Sequence, residues 1–197
     1  NKMIKDNPSN RVKGLKEGDN HRQFLTLEEL QLIANTQCKN EILKKAFLFS
    51  SLTGLRWSDV KALRWEKIRY TEGAGWSLEY VQKKTKSAEV LPLSDQAVKL
   101  LGDRQEGAKP IFSSLRYNTH MNRQLQDWID DAGVKKKITF HCARHTFATL
   151  QLSVDTDIYT VSKLLGHKHL KTTEIYTKVI DKRKIEAANK IPDIYIC

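Results

Sequence analysis

The side chains that could do chemistry here are imidazole, guanidinium, amine and phenol groups gathered at a few spacings. His141 and Arg144 stand three residues apart. Residues three apart share a helix face, so one helix would aim both groups at one point. Leu164-Leu165-Gly166 reads as a helix end, with Gly166 in the left-handed position that closes it. His167 follows at the turn. Thr172 and Thr173 are placed to cap a short helix carrying Tyr176. Upstream, Arg56 follows Thr53-Gly54-Leu55 at a turn between apolar helices, where its charge is either solvated or turned into a cleft. Asp59 either orients Arg56 or stabilises the N-terminus of the next helix, and the residues leave both roles open. Together these groups suit work on an anion. No carboxylate cluster of the kind a metal nuclease needs stands beside them.

The elements that must position these groups are mainly helical. Thr26 followed by Glu29 is a capping box before Leu27, Leu30 and Ile33, which predicts a helix over 26–36. Residues 40–52, with Ile42, Leu43, Ala46, Phe47 and Phe49, are apolar on most sides and predict a buried helix. Ser58 or a neighbour can cap a short helix carrying Val60, Leu63 and Trp65. The pattern then changes. Ile68–Tyr70, Trp76–Gln82 and Val90–Leu93 predict a three-stranded antiparallel sheet, with Pro92 marking its third strand as an edge. The second hairpin turn, Lys83-Lys84-Thr85-Lys86-Ser87, presents lysines at its tip. A helix starting at Ser94 runs to about 103. An amphipathic helix over 117–132 turns Met121, Leu125, Trp128 and Ile129 inward and stops at Gly133. Residues 181–190 predict a basic helix ended by Ile191-Pro192.

The 197 residues suffice for one sizeable core. With 34 Lys and Arg against 23 Asp and Glu, the net charge of +11 favours a polyanionic partner, nucleic acid first. Cys38, Cys142 and Cys197 lie far apart with no C-x-x-C pair, which argues against a zinc site and for a reduced, cytoplasmic setting. No apolar run reaches membrane-spanning length and no signal peptide is visible. The chain begins at Asn1 with a polar stretch containing Pro8, Gly14 and Gly18. We therefore expect residues 1–20 to be a linker from a missing N-terminal domain, with the catalytic domain over 21–197.

Arg56 after Thr-Gly-Leu, a hairpin lysine before Pro92, His141-x-x-Arg144, Leu-Gly-His167 and Tyr176, in that order, resemble the tyrosine recombinase (phage integrase) family. Each motif alone is weak. Their joint order over about 53–180, with the nine-residue step from His167 to Tyr176, is specific. The C-terminal half also resembles integrases of Bacteroides-type mobile elements. The fold implied is the family's catalytic domain, mainly α with a small three-stranded antiparallel sheet. In the family the hairpin lysine lies eight positions before the proline, which selects Lys84 over Lys86 and Lys83.

The resemblance implies a site-specific DNA recombinase in which Tyr176 attacks a phosphodiester. A 3′-phosphotyrosyl link forms and a 5′-hydroxyl is freed, without metal, ATP or other cofactor. Arg56 and Arg144 would hold the non-bridging oxygens, since guanidinium forks match phosphate and stay charged. His141 and His167 would add hydrogen bonds, with His141 the candidate to take the phenol's proton. Lys84 would protonate the leaving oxygen. Lys83, Lys86, Lys135, Lys136, Lys137, Lys168 and His169 are candidate DNA contacts. The partners implied are double-stranded DNA and accessory DNA-bending proteins, with the chain a monomer in isolation and a homotetramer on DNA. Residues 181–197 would be the C-terminal helix or tail exchanged between protomers. A type IB topoisomerase-like nicking-closing enzyme and a catalytically silent DNA-binding module are the alternatives.

Overall fold

The computed structural model describes residues 22–81, 88–105 and 109–179, with side chains described as far as Tyr176. The linker expected over 1–20, the hairpin tip with Lys83, Lys84 and Lys86, and the helix expected within 181–197 lie outside the described residues. The described part is helical around a three-stranded sheet, as the patterning predicts.

Helix α1 spans Leu27–Asn35 and starts with the predicted box: Thr26 accepts from the Glu29 backbone, and the Glu29 carboxylate accepts from the Thr26 backbone. Helix α2, Glu41–Thr53, is capped by Asn40 and closed by Gly54 in the left-handed region. It buries Leu43, Ala46, Phe47, Phe49, Ser50, Ser51 and Thr53, while Glu41, Ile42 and Lys45 are exposed, so one face of this helix meets solvent where the sequence suggested burial on most sides. Phe47 meets Trp128 and Phe140 edge-on, with ring centroids 5.9 and 5.8 Å away.

The short helix α3, Trp57–Lys61, departs from expectation at its start. Arg56, not Ser58, occupies the cap position, and no side chain caps it. Strands β1 (Ile68–Thr71), β2 (Gly75–Val81) and β3 (Ala88–Leu93) pair antiparallel in chain order, so β3 is an edge. Pro92 faces Ser77 on that edge strand, the kind of strand on which proline is tolerated. Helix α4, Asp95–Lys99, is shorter than the run to 103 that its sequence suggested.

Helix α5, Thr119–Asp131, buries Met121, Leu125, Trp128 and Ile129, the stripe read from the sequence. Helix α6, Phe140–Ser153, is the longest among the described residues and lies against α2. Helix α7, Ile158–Leu164, ends at Leu165, and Gly166 turns the chain at φ 59°. Beyond this turn the short helix expected to carry Tyr176 is of the tighter 3₁₀ kind: 3₁₀ turns form over Leu170–Thr172 and Glu174–Val179. Phe147, Ala148, Leu152, Val161, Leu165 and Tyr176 form a second apolar cluster that seats the last turn on α6 and α7. Among the described residues, no helix is long and apolar enough to cross a membrane.

Candidate active site

Among the described residues, the groups singled out in the sequence come from four places: the α2–α3 turn, the first two turns of α6, the α7 exit and the final 3₁₀ turn. Gly54 makes the junction of the first three. A methyl group there would come within 2.6 Å of Phe147 Cδ1 and 2.9 Å of Leu165 Cδ2. Only a residue without Cβ lets the end of α2 sit this close to α6 and α7, and the φ of 70° asks for glycine independently.

That closeness sets the place of Arg144. The residue is 4 % exposed, and its guanidinium donates from Nη1 to the Gly54 carbonyl and from Nη2 to the Leu165 carbonyl, both at 2.6 Å. One side chain thus ties the α2 exit to the α7 exit. Burial, then the neighbouring Arg56 charge, pulls its pKa down to about 10, so it remains a cation at neutral pH. Tyr176, Tyr80 and the buried Asp59 act the other way. Asp59 therefore supports the cationic centre from the first turns of α3.

Arg56 is half-buried, just after the Gly54-Leu55 turn. Its charge acts on Arg144, His167 and Tyr176 alike, so the four groups share one electrostatic neighbourhood. His167 stands past the end of α7, with Nδ1 2.9 Å from the Thr173 hydroxyl. Thr173 is fully buried, so the threonine read as a helix cap contacts this imidazole. Burial first, then Arg144, Arg56 and Arg22, lowers the His167 pKa to about 4. His141 is exposed at the start of α6, toward solvent.

Tyr176 is 6 % exposed, and its hydroxyl lies 2.7 Å from Nδ1 of His145. Burial raises its pKa, while Arg144, Arg22 and Arg56 pull it down. The phenol is thus protonated at neutral pH but sits in a field that favours its anion.

Sequence reasoning missed three neighbours. His145 is one residue after Arg144 and four after His141, and its ring meets the His141 ring edge-on at 4.6 Å. The i, i+4 spacing on α6 was the available signal. Arg22, exposed at the start of the described chain, acts on His145, His167 and Tyr176. Nothing in its local sequence distinguishes it from the other basic residues of the N-terminal stretch. Tyr80, near the end of β2, acts on Arg144 and shows that this end of the hairpin comes close to the site.

Of the candidate DNA contacts, Lys135, Lys137, Lys168 and His169 are exposed. Lys136 departs from that expectation. Its ammonium lies 2.6 Å from Glu29 Oε2 and 3.1 Å from the Phe24 carbonyl, and it faces the Phe24 ring. It is committed to an internal ion pair between α1 and the loop before α6. Lys83, Lys84 and Lys86 fall outside the described residues. Among the described residues, no group of three or more His, Cys, Asp or Glu side chains is arranged to hold a metal ion.

Both the sequence and the fold have known relatives. A family model described as the phage integrase family matches residues 23–183. A tyrosine recombinase of Thermosipho africanus is 29 % identical over 197 residues, spanning 96 % of this chain and 69 % of that protein. One of Pseudothermotoga lettingae is 31 % identical over 202 residues, spanning 95 % and 68 %. Among solved structures, the XerA recombinase matches with a TM-score of 0.66 at 21 % identity over 91 % of this chain and 68 % of that one. The catalytic domain of bacteriophage HP1 integrase matches with a TM-score of 0.60 at 20 % identity over 86 % and 95 %. At such identities the structural likeness speaks for the fold.

Proposed function

The chain belongs to the phage integrase family, and from that premise we propose the chemistry of a site-specific tyrosine recombinase carried by these particular residues. The carrying observation is that Arg56, Arg144 and His167 act electrostatically on one another or on Tyr176, although 120 positions separate the first from the last. A buried phenol facing buried and half-buried cations is a nucleophile beside a seat for an anion.

In the proposed step the Tyr176 oxygen attacks the phosphorus of a DNA phosphodiester. A 3′-phosphotyrosyl bond forms, the bond to the 5′-oxygen breaks, and that oxygen leaves as a hydroxyl. The phenol's proton passes to His141, and Lys84 supplies the proton to the leaving oxygen. The five-coordinate transition state gains negative charge on the non-bridging oxygens, where fixed cations in a poorly solvated site contribute most. Arg144 has five N–H donors, and the two carbonyl bonds leave others for those oxygens. Arg56 takes the second oxygen, and His167 donates from the ring nitrogen that Thr173 does not occupy. Asp59 keeps the arginine pair ionised and oriented. The 5′-hydroxyl of a second strand reverses the step and joins new partners, so bond energy is conserved without a cofactor.

The duplex is gripped through phosphates by Lys135, Lys137, Lys168 and His169 and by the hairpin lysines Lys83 and Lys86. Arg22 joins this set. Double-stranded DNA is thus the partner, and a tetramer on two duplexes, linked through residues 181–197, is the working assembly.

The test is a nicked suicide DNA carrying the target site, from which the cleaved 5′-hydroxyl fragment escapes. The native chain is expected to form a denaturant-stable protein–DNA adduct, and Tyr176→Phe none. Binding with no adduct would show a DNA-binding module instead. Supercoil relaxation with no exchange between two sites would show a nicking-closing enzyme.

A further inference from the structure

We infer that His145 is a further residue of the reaction centre, one that fixes the position of the nucleophilic oxygen by hydrogen-bonding the Tyr176 hydroxyl. This role rests on the recombinase reading and adds to it a residue outside the six-residue set.

The geometry is direct. Nδ1 of His145 is 2.7 Å from the Tyr176 oxygen, and the two ring centroids are 5.6 Å apart. Both partners are 6 % exposed. A 3₁₀ turn gives Tyr176 little rigidity of its own, because its hydrogen bonds are poorly aligned and the element is short. The apolar cluster around Phe147 and Leu165 holds the ring. It cannot set the direction of the hydroxyl, because apolar contact is non-directional. The bond to His145 supplies that direction, and it comes from the turn of α6 that also carries Arg144.

The charge state suits the role. Burial lowers the His145 pKa to about 3, with His141, Arg22, Arg144 and His167 adding to the shift, so the ring is neutral wherever the protein works. A neutral imidazole offers one donor and one acceptor. One tautomer accepts from the phenol and the other donates to a phenolate, so a single contact can hold the oxygen before and after it ionises. So weak a base does not keep the proton, which leaves that task to His141. The edge-on contact between the two imidazoles at 4.6 Å fixes His141 relative to the phenol as well.

The experiment compares His145→Asn, whose amide reaches the position of Nδ1, with His145→Leu and His145→Gln. The first readout needs no DNA: acylation of Tyr176 by N-acetylimidazole, followed on its peptide by mass spectrometry. The second is single-turnover adduct formation on saturating suicide DNA, with affinity measured alongside. We expect Leu and Gln to speed acylation and slow adduct formation, each by about tenfold, because a small misplacement of a reacting atom has effects of that order or larger. DNA affinity should stay within about twofold, and Asn should restore both rates. Gln is the folded control should Leu fail to fold. Equal acylation in all variants, or Asn no better than Gln, overturns the inference. A native chain that forms no adduct overturns the recombinase reading instead, and the acylation arm still decides the role of His145.

Discussion

Arg144 donates from Nη1 to the carbonyl of Gly54 across 2.6 Å, joining a residue of α6 to the turn that presents Arg56. The contact makes a glycine part of the site. The turn must lie close enough for its carbonyl to meet the guanidinium, and that closeness leaves no room for a methyl group.

Gly54→Ala is therefore expected to disturb function beyond its size. The added carbon meets Phe147 and Leu165 side chains at 2.6 and 2.9 Å, and the residue must hold φ 70°. Overpacking costs about 1–3 kcal/mol and a left-handed non-glycine about 1–2 kcal/mol more. A fall in Tm with a larger proportional fall in adduct formation is expected. A variant as stable and active as the native chain would show that the turn can retreat freely.

Arg144→Ala should lower single-turnover cleavage by about 100-fold or more, the order seen when a preorganised transition-state donor is removed. DNA affinity should change far less, because the side chain is 4 % exposed and most of the grip is elsewhere. Stability should fall as well, since two carbonyls lose their donor at about 1–3 kcal/mol each if left dry. Arg144→Lys keeps the charge, but one ammonium cannot span both carbonyls and a phosphate. It should recover stability better than cleavage. Affinity and cleavage falling in parallel would contradict a transition-state role.

Much of this arrangement was legible in the sequence. Helix α6 and the α7 exit followed from spacing and from Gly166, and the sheet from alternation and Pro92. Local signals sufficed because each element is capped or patterned within its own residues. Other features depend on tertiary packing. Tyr176 lies on a 3₁₀ turn because the second apolar cluster, not helix propensity, holds it. Thr173 turns its hydroxyl to His167 in place of capping a helix. Lys136 looked like its neighbours in a run of three lysines, yet it meets Glu29 and the Phe24 carbonyl, from more than 100 positions away. No pattern along the chain records such a partner.

Stability should depend on pH through the buried imidazole of His145 and the half-buried one of His167. His145 and His167 have folded pKa values lowered to about 3 and about 4, against about 6.5 in an unfolded chain. Between those values the unfolded state binds more protons, so stability rises with pH. It is fully present above about pH 6.5 and is lost as pH falls toward 4, at up to about 1.4 kcal/mol per pH unit for His145 and by less for His167, whose half-exposed ring is screened by solvent. Urea denaturation from pH 7.5 to 4.5 should show this slope, and His145→Asn should remove the larger part of it. A flat profile over that range would mean that the imidazoles are solvated.

The lysines of the 135–137 run should separate into two kinds. Lys136 holds Glu29 at 2.6 Å with both side chains mostly covered, at 28 % and 23 % exposure. Its replacement by Ala should cost about 1–2 kcal/mol of stability, more than an exposed ion pair and less than a fully buried one. It should leave the salt dependence of DNA binding unchanged, since its charge is spent within the fold. Lys135 and Lys137 are exposed. Ala at either should leave Tm within about 1 °C, as surface changes away from such internal pairs have small effects. If each meets one phosphate, each change should also reduce the slope of log Kd against log salt by about one. Fluorescence anisotropy at several salt concentrations, with thermal melts of the same three variants, decides the matter. Should Lys136→Ala flatten the salt dependence while melting normally, its pairing with Glu29 must give way when DNA binds, and the ion pair would be a contact that the duplex competes for rather than a fixed brace between α1 and α6.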